Sequence, residues 1–313
     1  MVVVTGASSG IGRATAVACA RRGDRVVLAA RSPRGLRAAE RECVAAGATA
    51  TLVVPTDVLD EAAVAGLARA AVDRFGRIDV WVECAAVMAY GRFLDVPTEV
   101  FRRVVETNVF GTAHAARAAL PVFVRQGGGV LVVVSSLLGE ITAPYMSAYV
   151  TSKWALRGLA GVLRQELREA PGVRVCLVHP AAVNTPIYLQ AANYAGREGR
   201  PPLPAAAPER VARVILRCAE RPRRQARIGP AYRGVSLAFH LTPGLFDALV
   251  GPVMRRAALS RRPSPATAGN VFAPRPDGDA PRGRWDDHRL RATAAGLAAA
   301  GTVAAAVLLR CRR

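Results

Sequence analysis

Six short apolar runs, each parted from the next by a stretch long enough for a helix, constrain this chain more than any other feature. They lie at 2–4, 26–29, 51–54, 78–82, 130–134 and 173–178. The runs are rich in valine and are read as strands. Several are continuously apolar rather than alternating, which is how strands look when a parallel sheet is covered on both faces. Ala- and Arg-rich segments between them supply crossover helices. The reading is an α/β fold: a doubly wound, Rossmann-like parallel sheet with helices on both faces. At 313 residues and 51% hydrophobic, the chain is long enough for one large domain and too apolar to be mostly disordered.

The rhythm breaks after the sixth run. Prolines at 186, 201, 202, 204 and 208 predict a long loop or lid over 186–208, which closes a catalytic domain of residues 1–235. A helix is expected at about 208–221. Residues 236–259 form an apolar helical extension, with Leu241, Leu245 and Leu249 at helical spacing and Pro243 as an interruption. Residues 260–291, rich in Pro, Gly, Arg and Asp, read as a flexible basic linker. Residues 292–313 are an Ala-rich segment ending in Arg310-Cys311-Arg312-Arg313. Its uncharged part would extend ~27 Å as a helix against a hydrocarbon core of ~30 Å, so it is a marginal membrane helix.

The net charge of +20 raises nucleic acid or an anionic membrane as a partner. Its distribution argues otherwise for nucleic acid. Up to residue 196 there are 21 basic and 15 acidic residues, and beyond it 22 and 8. No aromatic-interleaved basic patch accompanies the excess, so nucleic-acid binding is not expected. Arginines near 255–262 could meet anionic headgroups. Six cysteines lie far apart with no CxxC or His/Cys cluster, which indicates neither a metal site nor a disulfide framework. With no apolar leader, a cytoplasmic catalytic domain is expected, membrane-associated if the C-terminal segment inserts.

Thr5-Gly6-Ala7-Ser8-Ser9-Gly10-Ile11-Gly12 follows the first strand and precedes a helix. In that setting glycines permit a tight turn and close approach of a pyrophosphate, and the helix N-terminus offers free N–H groups and a partial positive charge. The TGxxxGxG spacing resembles the single-domain branch of the short-chain dehydrogenase/reductase family, over residues up to about Pro186. The resemblance implies a nicotinamide cofactor held by Gly6, Ser8, Ser9, Gly10, Ile11 and Gly12. Asp57-Val58 matches the family's pair at the adenine. Pro180-Ala181-Ala182-Val183-Asn184-Thr185 resembles its PGxVxT segment, where Pro180, Val183 and Thr185 would border the nicotinamide. At the end of the second strand a carboxylate would hold a ribose 2′-OH; this chain has Ala30-Arg31, and Arg31 can fork onto a 2′-phosphate. With Arg13 adding charge, NADP(H) is preferred over NAD(H).

Tyr149 and Lys153 stand i, i+4 on one helix face. Hydride transfer to a carbonyl needs a proton for the forming alkoxide. A phenol of pKa ~10 can give it, and running the reverse near neutral pH requires ~4 kcal/mol of stabilisation of the phenolate, for which a neighbouring ammonium is a source. Lys153 is the one lysine in a chain with 42 arginines, and a forked guanidinium would not replace a compact ammonium there. The resemblance makes Tyr149 the acid/base, Lys153 its tuner and ribose anchor, Ser136 the substrate positioner with Ser135 as the alternative, and Asn108 the support of a proton relay. An asparagine inside a helix is mildly unfavourable, so something should compensate it.

Glu83-Cys84-Ala85-Ala86 departs from the family's Asn-Asn-Ala-Gly, and Ala181 replaces a glycine. A carboxylate at 83 beside the cofactor channel would be costly to desolvate, or would take a raised pKa. The function expected is a hydride-transferring oxidoreductase acting with NADP(H) on a small-molecule alcohol or carbonyl, lipophilic in one version and tethered to membrane. The alternative is a catalytically weak cofactor-binding scaffold. Family resemblance also implies a homo-oligomer.

Overall fold

The computed structural model of the chain describes residues 1–229, 232–275 and 278–285. The six apolar runs become β1 (Val2–Thr5), β2 (Arg25–Ala30), β3 (Ala50–Pro55), β4 (Val80–Glu83), β5 (Gly129–Val134) and β6 (Val173–Pro180). A seventh, β7 (Gln225–Ile228), has no counterpart among the expectations, because only its last residue is buried and no apolar run marks it. All seven are parallel in one sheet of order β7-β6-β5-β4-β1-β2-β3. The order reverses between β1 and β4, and that switch point opens a crevice at the strands' carboxyl ends.

The continuous apolar runs follow from two cores. Val2, Val4, Val26, Leu28, Val130 and Val132 face one side, where they meet α1 (Gly10–Ala20), α2 (Pro33–Ala45) and α7 (Pro208–Glu220). Val3, Val27, Trp81, Leu131 and Val133 face the other, against α3 (Glu61–Phe75), α5 (Gly111–Arg125) and α6 (Ser147–Glu166). Successive residues thus serve opposite layers, and each fully buried aliphatic side chain contributes ~1.5–3 kcal/mol. Helix boundaries follow local chemistry. Ser32 accepts from Gly35 N at 3.1 Å ahead of Pro33, and Asp60 accepts from Ala63 N at 2.9 Å. α3 stops at Gly76, whose φ of 81° is left-handed. α4 (Thr98–Val105) runs into α5 through one π-helical turn, Glu106–Phe110.

The proline-rich stretch 186–208 contains a short helix, Ile187–Gln190, and two small strands. Pro243 divides the apolar extension into α8 (Tyr232–Leu241) and α9 (Pro243–Ala257). Residues 260–291 differ from a free linker wherever they are described. Leu259–Pro263 pairs antiparallel with Arg197–Gly199, Ser264 and Thr267 bond to Gly196 and Asn193, and Asn270, Pro274, Arg275 and Asp279 line the crevice. Composition without apolar periodicity suggested mobility; here the backbone carbonyls find partners in the groove instead. Among the described residues no helix is long and apolar enough to cross a membrane, and residues 292–309 lie outside them.

Candidate active site

The turn after β1 is shaped by its glycines. Gly10 has φ of 52°, a conformation an L side chain resists, and a Cβ on Gly12 would stand 2.2 Å from the Gly6 carbonyl oxygen. Helix α1 therefore packs directly against the turn that precedes it. Its N-cap, Ser9, makes no side-chain cap bond, so the helix end turned to the crevice is not closed by its own capping residue.

One cavity of about 1030 Å³ joins this turn to the start of α6. Gly6, Ser8, Ser9, Gly10, Ile11 and Gly12 line it, as do Arg31, Val58, Pro180, Val183 and Thr185. Ser136, Tyr149 and Lys153 line it too. Two residues singled out in the sequence stand behind the wall. Asp57 turns its Oδ1 back to Leu59 N at 3.1 Å, and Asn108 is wholly buried.

At the end of β2 the two arginines are engaged. Arg31 donates to Asn270 O at 2.6 Å and to Val271 O at 3.4 Å. Burial lowers its pKa, and Asp57 opposes that shift. Arg13, 5% exposed, forks onto Glu42 at 2.8 and 3.0 Å and also donates to the Ser8 and Asp279 carbonyls.

Tyr149 and Lys153 lie one turn apart on the first half of α6, the ammonium 5.3 Å from the centre of the phenol ring. Lys153 is 2% exposed and donates to Val134 O at 3.0 Å, which fixes it to the end of β5. Burial brings its pKa down to about 8, against the opposing pull of Glu83. Burial, with Tyr188 nearby, raises the Tyr149 phenol well above its ordinary value, and a hydrogen bond with Ser136 works the other way. Ser136 caps the short turn Leu137–Gly139 by accepting from Leu138 N at 3.2 Å. It is Ser136 that reaches the phenol; the Ser135 hydroxyl is buried without a partner among the described residues.

Asn108 sits in the π-helical turn. Its Oδ1 accepts from Val87 N at 2.9 Å, while its Nδ2 donates to Val87 O at 3.0 Å and to Ser152 Oγ at 2.9 Å. The extra residue of the turn aims the amide at the chain leaving β4, which compensates an asparagine inside a helix. Glu83 carries the penalty its position implies. It is 2% exposed, has Trp81 Nε1 at 3.4 Å, and burial pushes its pKa up to about 7 despite Thr5, Trp81 and Lys153.

Three contributors escaped the sequence. His179, at the end of β6, is wholly buried and its Nδ1 is 3.1 Å from Ser136 O, holding the serine's backbone. Glu140, 2% exposed, pairs with Arg227 at 2.9 Å and steadies the turn after Ser136. Leu245, Phe246, Leu249 and Met254 of α9 wall the far end of the cavity. A histidine before Pro180 was the one local signal; the other two depend on long-range packing. No group of three or more His, Cys, Asp or Glu stands ready for a metal ion among the described residues.

The shape suits a dinucleotide. The cavity is long, one end has the glycine cradle and the helix end that Ser9 leaves uncapped, and the other has the Ser136–Tyr149–Lys153 cluster. Comparison with known proteins agrees. A family model described as short chain dehydrogenase matches residues 1–193. The chain is 36% identical to the uncharacterized oxidoreductase YxnA of Bacillus subtilis, over 84% of this chain and 75% of that protein. It is 30% identical to dehydrogenase/reductase SDR family member 7B of Bos taurus, over 83% of each. Among solved structures it resembles a short chain dehydrogenase/reductase from Burkholderia phymatum in complex with NAD (TM-score 0.69, 29% identity, 78% of this chain and 94% of that one). It also resembles an alcohol dehydrogenase of the archaeon Thermococcus sibiricus complexed with 5-hydroxy-NADP (TM-score 0.61, 30% identity, 72% and 94%).

Proposed function

The chain belongs to the short chain dehydrogenase family, and from that premise we propose that it interconverts a bulky apolar alcohol and its carbonyl with NADP(H). The observation that carries this reading is that Ser136, Tyr149 and Lys153 share one cavity with the glycine turn. A bound nicotinamide supplies or accepts the hydride. Ser136 holds the substrate oxygen beside the phenol, and Tyr149 donates its proton to the oxygen as that oxygen gains charge. Lys153, kept near the phenol ring by Val134 O, stabilises the phenolate left behind. Asn108 positions the wall through Val87 rather than touching the reacting atoms. Support for NADP(H) comes from Arg31, Arg13 and Ser32 gathered at the end of β2, where no carboxylate stands in the strand itself.

Support for a lipophilic substrate comes from the inner side of α9 and from Met88, Leu138, Ile141 and Leu203 around the catalytic cluster. The outer side of α8 adds a second reading, delivery of substrate from a lipid surface. Leu237 and Leu241, which do not line the cavity, are both more than half exposed, with Arg255 and Arg256 exposed at the end of α9. Co-sedimentation with anionic vesicles tests that reading, and Leu241→Asp should lower the bound fraction.

The main proposal is tested by following reduced nicotinamide absorbance with a panel of ketones and aldehydes of graded size. Tyr149→Phe should lower kcat by at least ~10²-fold, the scale of general acid catalysis, while leaving nucleotide affinity within about threefold. Full turnover by that variant would overturn the assignment.

A further inference from the structure

The nucleotide end of the cavity is lined by donors, and those donors are already bonded to the chain's own C-terminal segment. Gly10 N, in the glycine turn, donates to Ala280 O at 3.0 Å. Arg13 donates to Asp279 O at 3.1 Å. Ser32 Oγ donates to the Asp279 carboxylate at 2.5 Å. Arg31 gives its two nitrogens to Asn270 O and Val271 O. Five oxygens of the segment thus take donors that an oxygen-rich ligand would use. The fit around Asp279 is close: a Cβ on Gly35 would stand 2.6 Å from its Cγ and 2.7 Å from Ser8 Cβ, so the carboxylate sits between the glycine turn and the first turn of α2. That cleft is an anion site by construction. Arg13 and Arg31 flank it, Ser32 is 4% exposed and already bonded to Gly35 N, and the start of α2 faces it.

Resting on the NADP(H) reading above, we infer that residues 270–275 and 278–280 form a strap that competes with the cofactor, with the Asp279 carboxylate standing in for the ribose 2′-phosphate. Asp279 is then the residue that sets affinity and selectivity for the phosphorylated nucleotide. Further along, the segment is held over the other half of the groove: Gly283 N donates to Asn184 O at 3.2 Å, and Trp285 meets the Tyr188 ring edge-on at 5.7 Å. Binding of NADP(H) releases Asp279 from Ser32 and the Ala280 carbonyl from Gly10. The nucleotide without a 2′-phosphate needs no such exchange at Ser32 and Arg31, so the carboxylate weighs less on it.

The test uses the full chain and reads binding rather than turnover. Dissociation constants of NADPH and NADH are measured by calorimetry for the wild type, Asp279→Asn and Asp279→Ala. Removing the charge should tighten NADPH about tenfold, which is 1.4 kcal/mol, and change NADH by less than threefold. Hydrogen exchange should show the amides of 278–285 losing protection when NADPH is added to the wild type. The strap is overturned if NADPH affinity is unchanged in both variants, if both nucleotides tighten equally, or if amide protection persists with NADPH bound. Weaker NADH binding in the variants would instead make Asp279 a ribose hydroxyl acceptor and overturn the competition. If no variant binds either nucleotide, the nicotinamide reading itself falls, and the strap with it.

Discussion

Glu83 is a carboxylate that the fold holds out of water at the end of β4, and its cost depends on pH. Its pKa is raised from 4.5 to about 7, so the folded chain keeps a proton there that the unfolded chain has lost. Stability from this group is therefore fully present below about pH 4.5 and is lost as pH rises to about 7. Glu83→Gln removes the dependence. The variant should match the wild type near pH 4.5 and be more stable at pH 8 by about 3 kcal/mol, read as Tm by calorimetry at the two pH values. Equal gains at both would show that Glu83 is ionised in the fold without penalty. The anomaly was visible in the sequence, because a charged residue at the end of an apolar run has to be buried or paired. The serine choice was open there: Ser135 and Ser136 are adjacent, and only the φ and ψ after β5 decide which hydroxyl meets Tyr149. His179 offered only its place before Pro180 as a signal, since its role is to bond a backbone carbonyl 43 residues away.

At the scale of elements, the period of apolar residues located six of the central sheet's seven strands, and Pro243 marked the break between α8 and α9. β7 was missed because an edge strand buries little. The π-helical turn was equally hidden: nothing in Glu106–Phe110 signals an extra residue, yet it directs Asn108 to Val87. The start of α1 makes the sharpest prediction. Gly12 touches the Gly6 carbonyl so closely that a methyl group has to push the helix from the turn. Gly12→Ala should cost about 1–3 kcal/mol in denaturant unfolding and weaken nucleotide binding at least tenfold. A variant of native stability and affinity would mean that the turn and α1 can separate freely.

For the whole molecule, the two cores around the sheet determine which groups solvent can reach. All five described cysteines are free and have raised pKa values, with Cys19 and Cys43 pushed by burial to about 12 and Cys176 to about 11. Alkylation at pH 8 should therefore label the four buried ones, Cys19, Cys43, Cys176 and Cys218, slowly, at a rate that follows global unfolding and rises steeply in denaturant, whereas Cys84 lines the cavity. Mass spectrometry after a timed pulse measures this, and rapid labelling of Cys19 in native buffer would show local opening of the α1 layer. Chain-scale composition suggested a domain with a loose basic tail; the segment's position along the crevice could not be read, because Arg13, Arg31 and Gly10 are met by backbone oxygens that any sequence supplies, and the Asp279 carboxylate finds Ser32 only across 247 residues. The junction of the two cavity halves carries one more implication. Lys153 is the sole side-chain amine in the chain, and burial brings its pKa down from 10.5 to about 8, which favours the neutral, nucleophilic form more than in a free lysine. A small aldehyde trapped there by borohydride reduction would therefore leave a covalent tag that peptide mapping separates from the Met1 α-amine, a gauge of whether the channel is open or filled that works without any substrate being known.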